Sequence, residues 1–158
     1  MRGRFNPRDG QLYLTGLVVW QSKGSRQGAF HRVRYTGKPV HMPVAMHVKK
    51  NGIEITFATP LNEAAAVNAA NYAIEQWNYK WTSNYGSPDF SVANPDKKCR
   101  DKVELTAVKL SPDKTTILLE IPDLKPVMEM RIKYNLKAAD GTSVASEIHN
   151  TINRVPES

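Results

Sequence analysis

Apolar and polar residues alternate with a period of two over much of this chain, in short runs. That periodicity predicts strands rather than helices. The cleanest run is Val127 to Leu136. Met128, Met130, Ile132, Tyr134 and Leu136 share one face, and Glu129, Arg131, Lys133 and Asn135 the other. Thr115 to Ile121 repeats the pattern, with Ile117, Leu119 and Ile121 inward and Thr116 and Glu120 outward. Val44 to Lys49 and Ile53 to Phe57 flank Lys50-Asn51-Gly52, and Asn-Gly between two apolar runs is a strong hairpin signal. Tyr72 to Trp81, Val103 to Leu110 and Ile148 to Val155 are the further predicted strands, the last at a sheet edge. Pro60 to Ala70 is the one helical stretch, of two or three turns. Asn62 is placed to cap it and Ala64-Ala65-Ala66 favour it. Ser111-Pro112-Asp113-Lys114 and Asp140-Gly141 read as turns.

The first forty residues form a separate passage. Asn6 to Gly10 has turn chemistry. Gln11 to Trp20 reads as a strand with Leu12, Leu14 and the Leu17 to Val19 stretch inward. A polar loop over Ser22 to Gly28 leads into an alternating Phe30 to Tyr35. Gly37-Lys38-Pro39 closes this passage, so a boundary falls at residues 37–40 and divides the chain into 1–39 and 40–158. Many short strands with turns between them predict an all-β fold, a β-sandwich with one short helix, preceded by a strand pair.

Composition narrows the function classes. A hydrophobic fraction of 41% and a charged fraction of 23% are those of a globular chain. No apolar run approaches the roughly 20 residues of a membrane-spanning helix, so no membrane span is expected. The single cysteine, Cys99, excludes an internal disulfide, a Cys-rich zinc site and haem attachment by a Cys-x-x-Cys-His motif within this chain. The net charge of +7 invites nucleic acid as a partner. The basic residues are spread along the sequence, however, and no recognition helix, zinc finger or RNP-type aromatic motif accompanies them. A solvated basic surface is therefore the preferred reading, with no nucleic acid expected. Such charge also suits an acidic polysaccharide, an anionic surface or an acidic neighbouring domain. The start lacks the apolar stretch of a signal peptide, and the chain is expected to be a piece of a longer secreted protein.

Particular motifs carry a family likeness. Ile53-x-Ile55-x-Phe57-x-x-Pro60-Leu61-Asn62, the small helix and Asn71-Tyr72 resemble bacterial immunoglobulin-like domains of the surface-layer type. Leu110-Ser111-Pro112-Asp113-Lys114-Thr115-Thr116 and Tyr134-x-Leu136-x-Ala138-x-Asp140-Gly141 follow in the family's order. Phe5-Asn6-Pro7-x-Asp9-Gly10-x-Leu12-Tyr13 and Phe30-x-Arg32-Val33-Arg34-Tyr35-Thr36-Gly37 are similar to the end of a β-propeller of the soluble glucose or sorbosone dehydrogenase type. With Glu75 to Tyr79 and Tyr85-Gly86-Ser87-Pro88, the whole resembles the C-terminal region of large secreted proteins of Planctomycetes and Verrucomicrobia. In those a propeller precedes an immunoglobulin-like module, often with a haem-binding cytochrome c domain elsewhere. The resemblance implies a periplasmic or extracellular setting and a propeller or cytochrome domain as neighbour. It carries over neither catalytic residues nor a cofactor.

Four aromatic residues are the candidate binding group. In a strand, Trp77, Tyr79 and Trp81 share a face, and Tyr85 follows in the long Thr82 to Lys102 loop. Such a row fills a core or domain junction, anchors a partner, or stacks on sugar rings. His41, Met42, Met46 and His47 are of a type that binds soft metals or haem. An extended strand puts the two methionines on one face and the histidines on the other, and Pro43 prevents a helix, so no metal is assigned to them. Asp89, Asn94, Asp96 and Asp101 offer oxygen ligands for calcium, but match no EF-hand spacing and lie among cations. Cys99 has no histidine partner nearby in the sequence. The expected function is non-catalytic: an accessory and interaction module of a larger secreted protein. The alternatives are a carbohydrate-binding module using the aromatic row, and a copper- or haem-linked electron-transfer domain.

Overall fold

The computed structural model describes residues 2–17 and 28–157. The chain divides into two units, Met1–Pro39 and Val40–Ser158.

The first unit is a three-stranded antiparallel sheet of β1 (Arg2–Phe5), β2 (Leu12–Leu17) and β3 (Gly28–Val33), in that order. The sequence predicted only two strands here. The added one, Arg2–Phe5, pairs with β2 from Arg2 opposite Thr15 to Phe5 opposite Leu12. Its Arg-Gly-Arg-Phe composition carries no apolar alternation that marks a strand. The β1–β2 connection is the turn expected at Asn6–Gly10. Gly10 adopts φ +65° and donates to the Asn6 carbonyl at 2.8 Å. Leu12 and Leu14 are only half-buried. The expected burial of Leu17 to Val19 concerns side chains outside the described residues.

The second unit is an all-β sandwich. One sheet holds β4 (Pro43–Lys49), β5 (Gly52–Phe57), β9 (Thr116–Glu120) and β8 (Ala107–Leu110), ordered β4-β5-β9-β8. The other holds β11 (Ser143–Ile152), β10 (Val127–Lys137), β6 (Tyr72–Trp77) and β7 (Asp101–Val103), ordered β11-β10-β6-β7. Lettered along the chain, the first sheet is A-B-E-D, and the second is C-F-G with one strand added beside C. That is the strand order of immunoglobulin-type sandwiches. Ile53, Ile55, Ile117 and Leu119 from one sheet meet Met130, Ile132 and Leu136 from the other, all at 1% exposure or less. Burying side chains of this size contributes about 1.5–3 kcal/mol each before entropy is counted.

Several boundaries differ from the sequence pattern. The helix is a single turn, α1 (Glu63–Ala66), capped by Asn62, whose side chain accepts from the Ala65 N–H. Asn68 then caps a 3-10 turn over Ala69–Asn71, and Asn71 donates to the Ala65 carbonyl at 2.8 Å. Asparagine side chains compete here for the backbone groups that a longer helix needs. The predicted strand Val103 to Leu110 is two strands in different sheets, β7 and β8, because the chain crosses between layers at Glu104–Thr106. A bulge between Val127 and Met130 turns Val127 inward and leaves Met128 42% exposed, so Met128 does not share the inward face. The edge strand β11 begins at Ser143, five residues before its predicted start. Its inward parity includes polar Ser146 and Asn150, which hide the alternation. In the β4–β5 hairpin, a Cβ at Gly52 would overlap the Leu119 carbonyl oxygen. Only glycine fits that close approach.

Candidate functional site

Strand β6 ends at Trp77, and this changes the aromatic group. Tyr72 and Ile74 face the core; Glu75 and Trp77 have the opposite parity and lie on the outer face of the sheet. Trp77 is nonetheless only 7% exposed. The Arg100 guanidinium lies over its ring at 3.8 Å, and His149 approaches edge-on at 6.3 Å. Arg100 is held there by Asp89 (Nε to Oδ2, 2.7 Å) and Glu75 (3.7 Å), and the Asp89 hydrogen bond raises the Arg100 pKa. Glu75 is also paired to Arg131 at 2.7 Å.

Past Trp77 the chain leaves the sheet. Asn78 and Phe90 exchange two backbone hydrogen bonds at 2.8 Å, closing the base of the loop between them. The Asn78 side chain accepts from the Met128 N–H at 2.9 Å, tying that base to the bulge in β10. Lys80 donates from its backbone to Ser87 Oγ (3.0 Å), pairs with Asp96 (3.0 Å) and lies over the Phe90 ring at 4.6 Å. Phe90 is buried. Beyond it, Asp101 Oδ2 accepts from the Ser91 hydroxyl and from the Val92 and Ala93 N–H groups, at 2.7–3.0 Å. Burial acts to raise the pKa of this carboxyl, but those three donors outweigh it and hold it below the ordinary carboxylate value.

A fixed base therefore carries an exposed tip. Trp81 is 95% exposed, Tyr85 is fully exposed and Tyr79 is half-exposed. Gly86 turns the chain with φ +82°. Two shallow clefts flank the tip. One of about 470 Å³ is lined by Trp77, Tyr79, Trp81, Tyr85 and Asp89; the other, of about 580 Å³, by Lys80, Tyr85, Pro88, Phe90 and Lys98. The structure thus brings all four aromatics to one cleft, with Tyr79, Trp81 and Tyr85 exposed on the loop and Trp77 covered by Arg100. The expected strand-borne row of Trp77, Tyr79 and Trp81 is not formed, because pairing in β6 stops at Trp77. Sequence reading missed the residues that organise the loop, namely Arg100, Asp101, Asp89 and Phe90. Their partners lie 8–25 residues away, and no local motif announces such contacts.

The other candidates are dispersed. His41 precedes β4 and its Nδ1 is hydrogen-bonded to Thr59 Oγ1 at 2.8 Å; its Nε2 lies 3.6 Å from Asp140. Met42 is half-exposed, Met46 packs against the core, and His47 is exposed opposite Glu54. Asp89, Asp96 and Asp101 are engaged by Arg100, Lys80 and backbone amides respectively. Among the described residues no three His, Cys, Asp or Glu side chains are grouped so as to hold a metal ion. Cys99 is partly buried, its thiol 4.0 Å from Asp101 Oδ1.

Fold and loop together define a class: an all-β sandwich of immunoglobulin strand order that displays an aromatic loop from the end of one sheet. No family model, no curated protein and no solved structure matches the chain. No helix among the described residues is long and apolar enough to cross a membrane.

Proposed function

We propose that this chain is a non-catalytic interaction module of a larger secreted protein, docking on a neighbouring propeller or cytochrome domain through the loop tip. The observation that carries this reading is the exposure of Trp81 and Tyr85 on a loop whose base is tied down. Trp and Tyr dominate interface hot spots. A loop already ordered before binding loses little further entropy on docking. The periplasmic or extracellular setting, and the kind of neighbour, come from the family resemblance.

The glycan reading needs a flat row of open rings. With Trp77 under Arg100, that row is reduced to residues on an irregular loop.

A photoreactive benzophenone amino acid in place of Tyr85, in the protein as its native cell produces it, tests the proposal. The expected result is one dominant cross-link to a propeller or cytochrome domain, abolished by Trp81→Ser. The same probe in place of Lys133, exposed on β10, serves as control. Equal yields from positions 85 and 133, or no cross-link from 85, would overturn it.

A further inference from the structure

Basic residues look dispersed in the sequence, but the division into units sorts them. Residues 1–39 contain eight of the 22 lysines and arginines and one of the 15 acidic residues, and so carry the whole formal charge of +7. The sandwich unit, with 14 of each sign, is formally neutral.

Strand pairing then sorts the two faces of the small sheet. Residues directly opposite one another in an antiparallel sheet project to the same side. Arg2, Thr15 and Phe30 lie in one line across the strands, and Arg4, Tyr13 and Arg32 in the next. These six form one face. Gly3, Leu14 and His31, with Phe5, Leu12 and Val33, form the other. The first face is therefore cationic and aromatic, the second largely apolar. Arg2, Arg4 and Arg32 are exposed, and Phe30 is 70% exposed. The Tyr13 ring stacks beside Phe30, centroids 5.5 Å apart and planes 26° from parallel. The Tyr13 hydroxyl donates to Asp9 at 2.8 Å, which fixes the pair.

We propose that this cationic face binds an anionic polysaccharide bearing carboxylate or sulfate groups. Arg2, Arg4 and Arg32 pair with its acidic groups, and Phe30 carries the apolar side of a sugar ring. All three cations are arginines, whose planar forks match carboxylate and sulfate oxygens two at a time. Arg2 and Arg4 are two residues apart on one strand, about 6.8 Å, and Arg4 and Arg32 two strands apart, about 9.6 Å. A repeating linear polyanion can meet all three. Single-stranded nucleic acid fits the face less well. Its non-specific binders stack successive bases on successive aromatic side chains. Here Tyr13 is half-buried against Phe30, so the face offers one open ring.

Binding of the full chain to polygalacturonate, heparin fragments, neutral dextran and an oligo-dT strand tests the proposal. Both acidic polysaccharides are expected to bind and dextran not to. Arg4→Gln with Arg32→Gln is expected to weaken binding about tenfold or more, and Phe30→Leu about threefold. Lys133→Gln with Lys137→Gln, which removes the same charge from the sandwich, is expected to leave affinity unchanged. Arg4→Lys with Arg32→Lys keeps the charge and loses the planar fork, and should weaken binding measurably. Amide exchange of β2 in each variant separates lost contacts from a melted sheet. Equal losses in the sheet and sandwich charge variants, tighter binding of oligo-dT than of either polysaccharide, or no polyanion binding at all would overturn the proposal.

Discussion

Asp101 is the point at which the aromatic loop is most exposed to a single substitution. Its Oδ2 accepts three hydrogen bonds, from the Ser91 hydroxyl at 3.0 Å, the Val92 N–H at 2.7 Å and the Ala93 N–H at 3.0 Å. A bond to a charged acceptor contributes about 1.5–3 kcal/mol when its donor has no water to turn to. Ala93 is exposed and regains water, whereas Ser91 is 2% exposed and Val92 is half-buried. Two donors are therefore stranded in Asp101→Ala, and partial exposure of the carboxylate discounts each. The expected loss is about 2–3 kcal/mol, against about 1 kcal/mol for Asp101→Asn, which keeps an acceptor and drops only the charge. Urea unfolding followed by tryptophan fluorescence reads this as a midpoint lowered by roughly 1 M for the alanine variant. The pH dependence has a definite sign. The native carboxyl titrates below its unfolded value of 3.8, so its contribution is complete above that value. It is lost as pH falls through the lower native value. The stability gap between unaltered chain and Asp101→Asn should thus be constant from about pH 5 to 8 and shrink below about pH 4. An alanine variant as stable as the asparagine variant at pH 7, or a gap that widens on acidification, would show that the Asp101 carboxylate does not hold this loop.

Arg100→Gln should uncover Trp77 and cost about 1–2 kcal/mol from the lost cation–ring contact and ion pairs; a red-shifted, more easily quenched emission in the Trp20→Phe, Trp81→Phe background is the check. Gly52→Ala pushes a methyl into the Leu119 carbonyl; a loss of about 3 kcal/mol or more, or roughly 10 °C in Tm, is expected by calorimetry. Ile132→Ala, at a wholly buried position, should cost about 2–5 kcal/mol in the same assay.

The core was legible because its rule is local. In β9 and β10 every second residue is large and apolar, and Ile117, Leu119, Met130, Ile132, Tyr134 and Leu136 all lie inside. Asn62 was legible as a cap for the same reason, since its partner is three residues away. Features set by distant contacts were not. The bulge that exposes Met128 follows the Asn78 side chain, fifty residues earlier. The end of β6 at Trp77 is fixed by pairing with β10 and by the Asn78–Phe90 bridge. The aromatic candidates were therefore found as residue types, but their split into one sealed ring and an exposed group was not. The concentration of charge on one face of the N-terminal sheet depends on a register between three strands, and no single segment displays it.

A loop that presents Trp81 to a partner while Trp77 is closed off gives the two rings very different access to solvent. Acrylamide quenching of two single-tryptophan variants measures this directly. Trp20→Phe with Trp77→Phe leaves Trp81, and Trp20→Phe with Trp81→Phe leaves Trp77. Trp81 is expected to quench nearly as free tryptophan does, unchanged by neutral oligosaccharides, with Trp77 strongly protected. A protected Trp81, or a Trp81 that a neutral sugar shields, would overturn the proposed docking role of the loop.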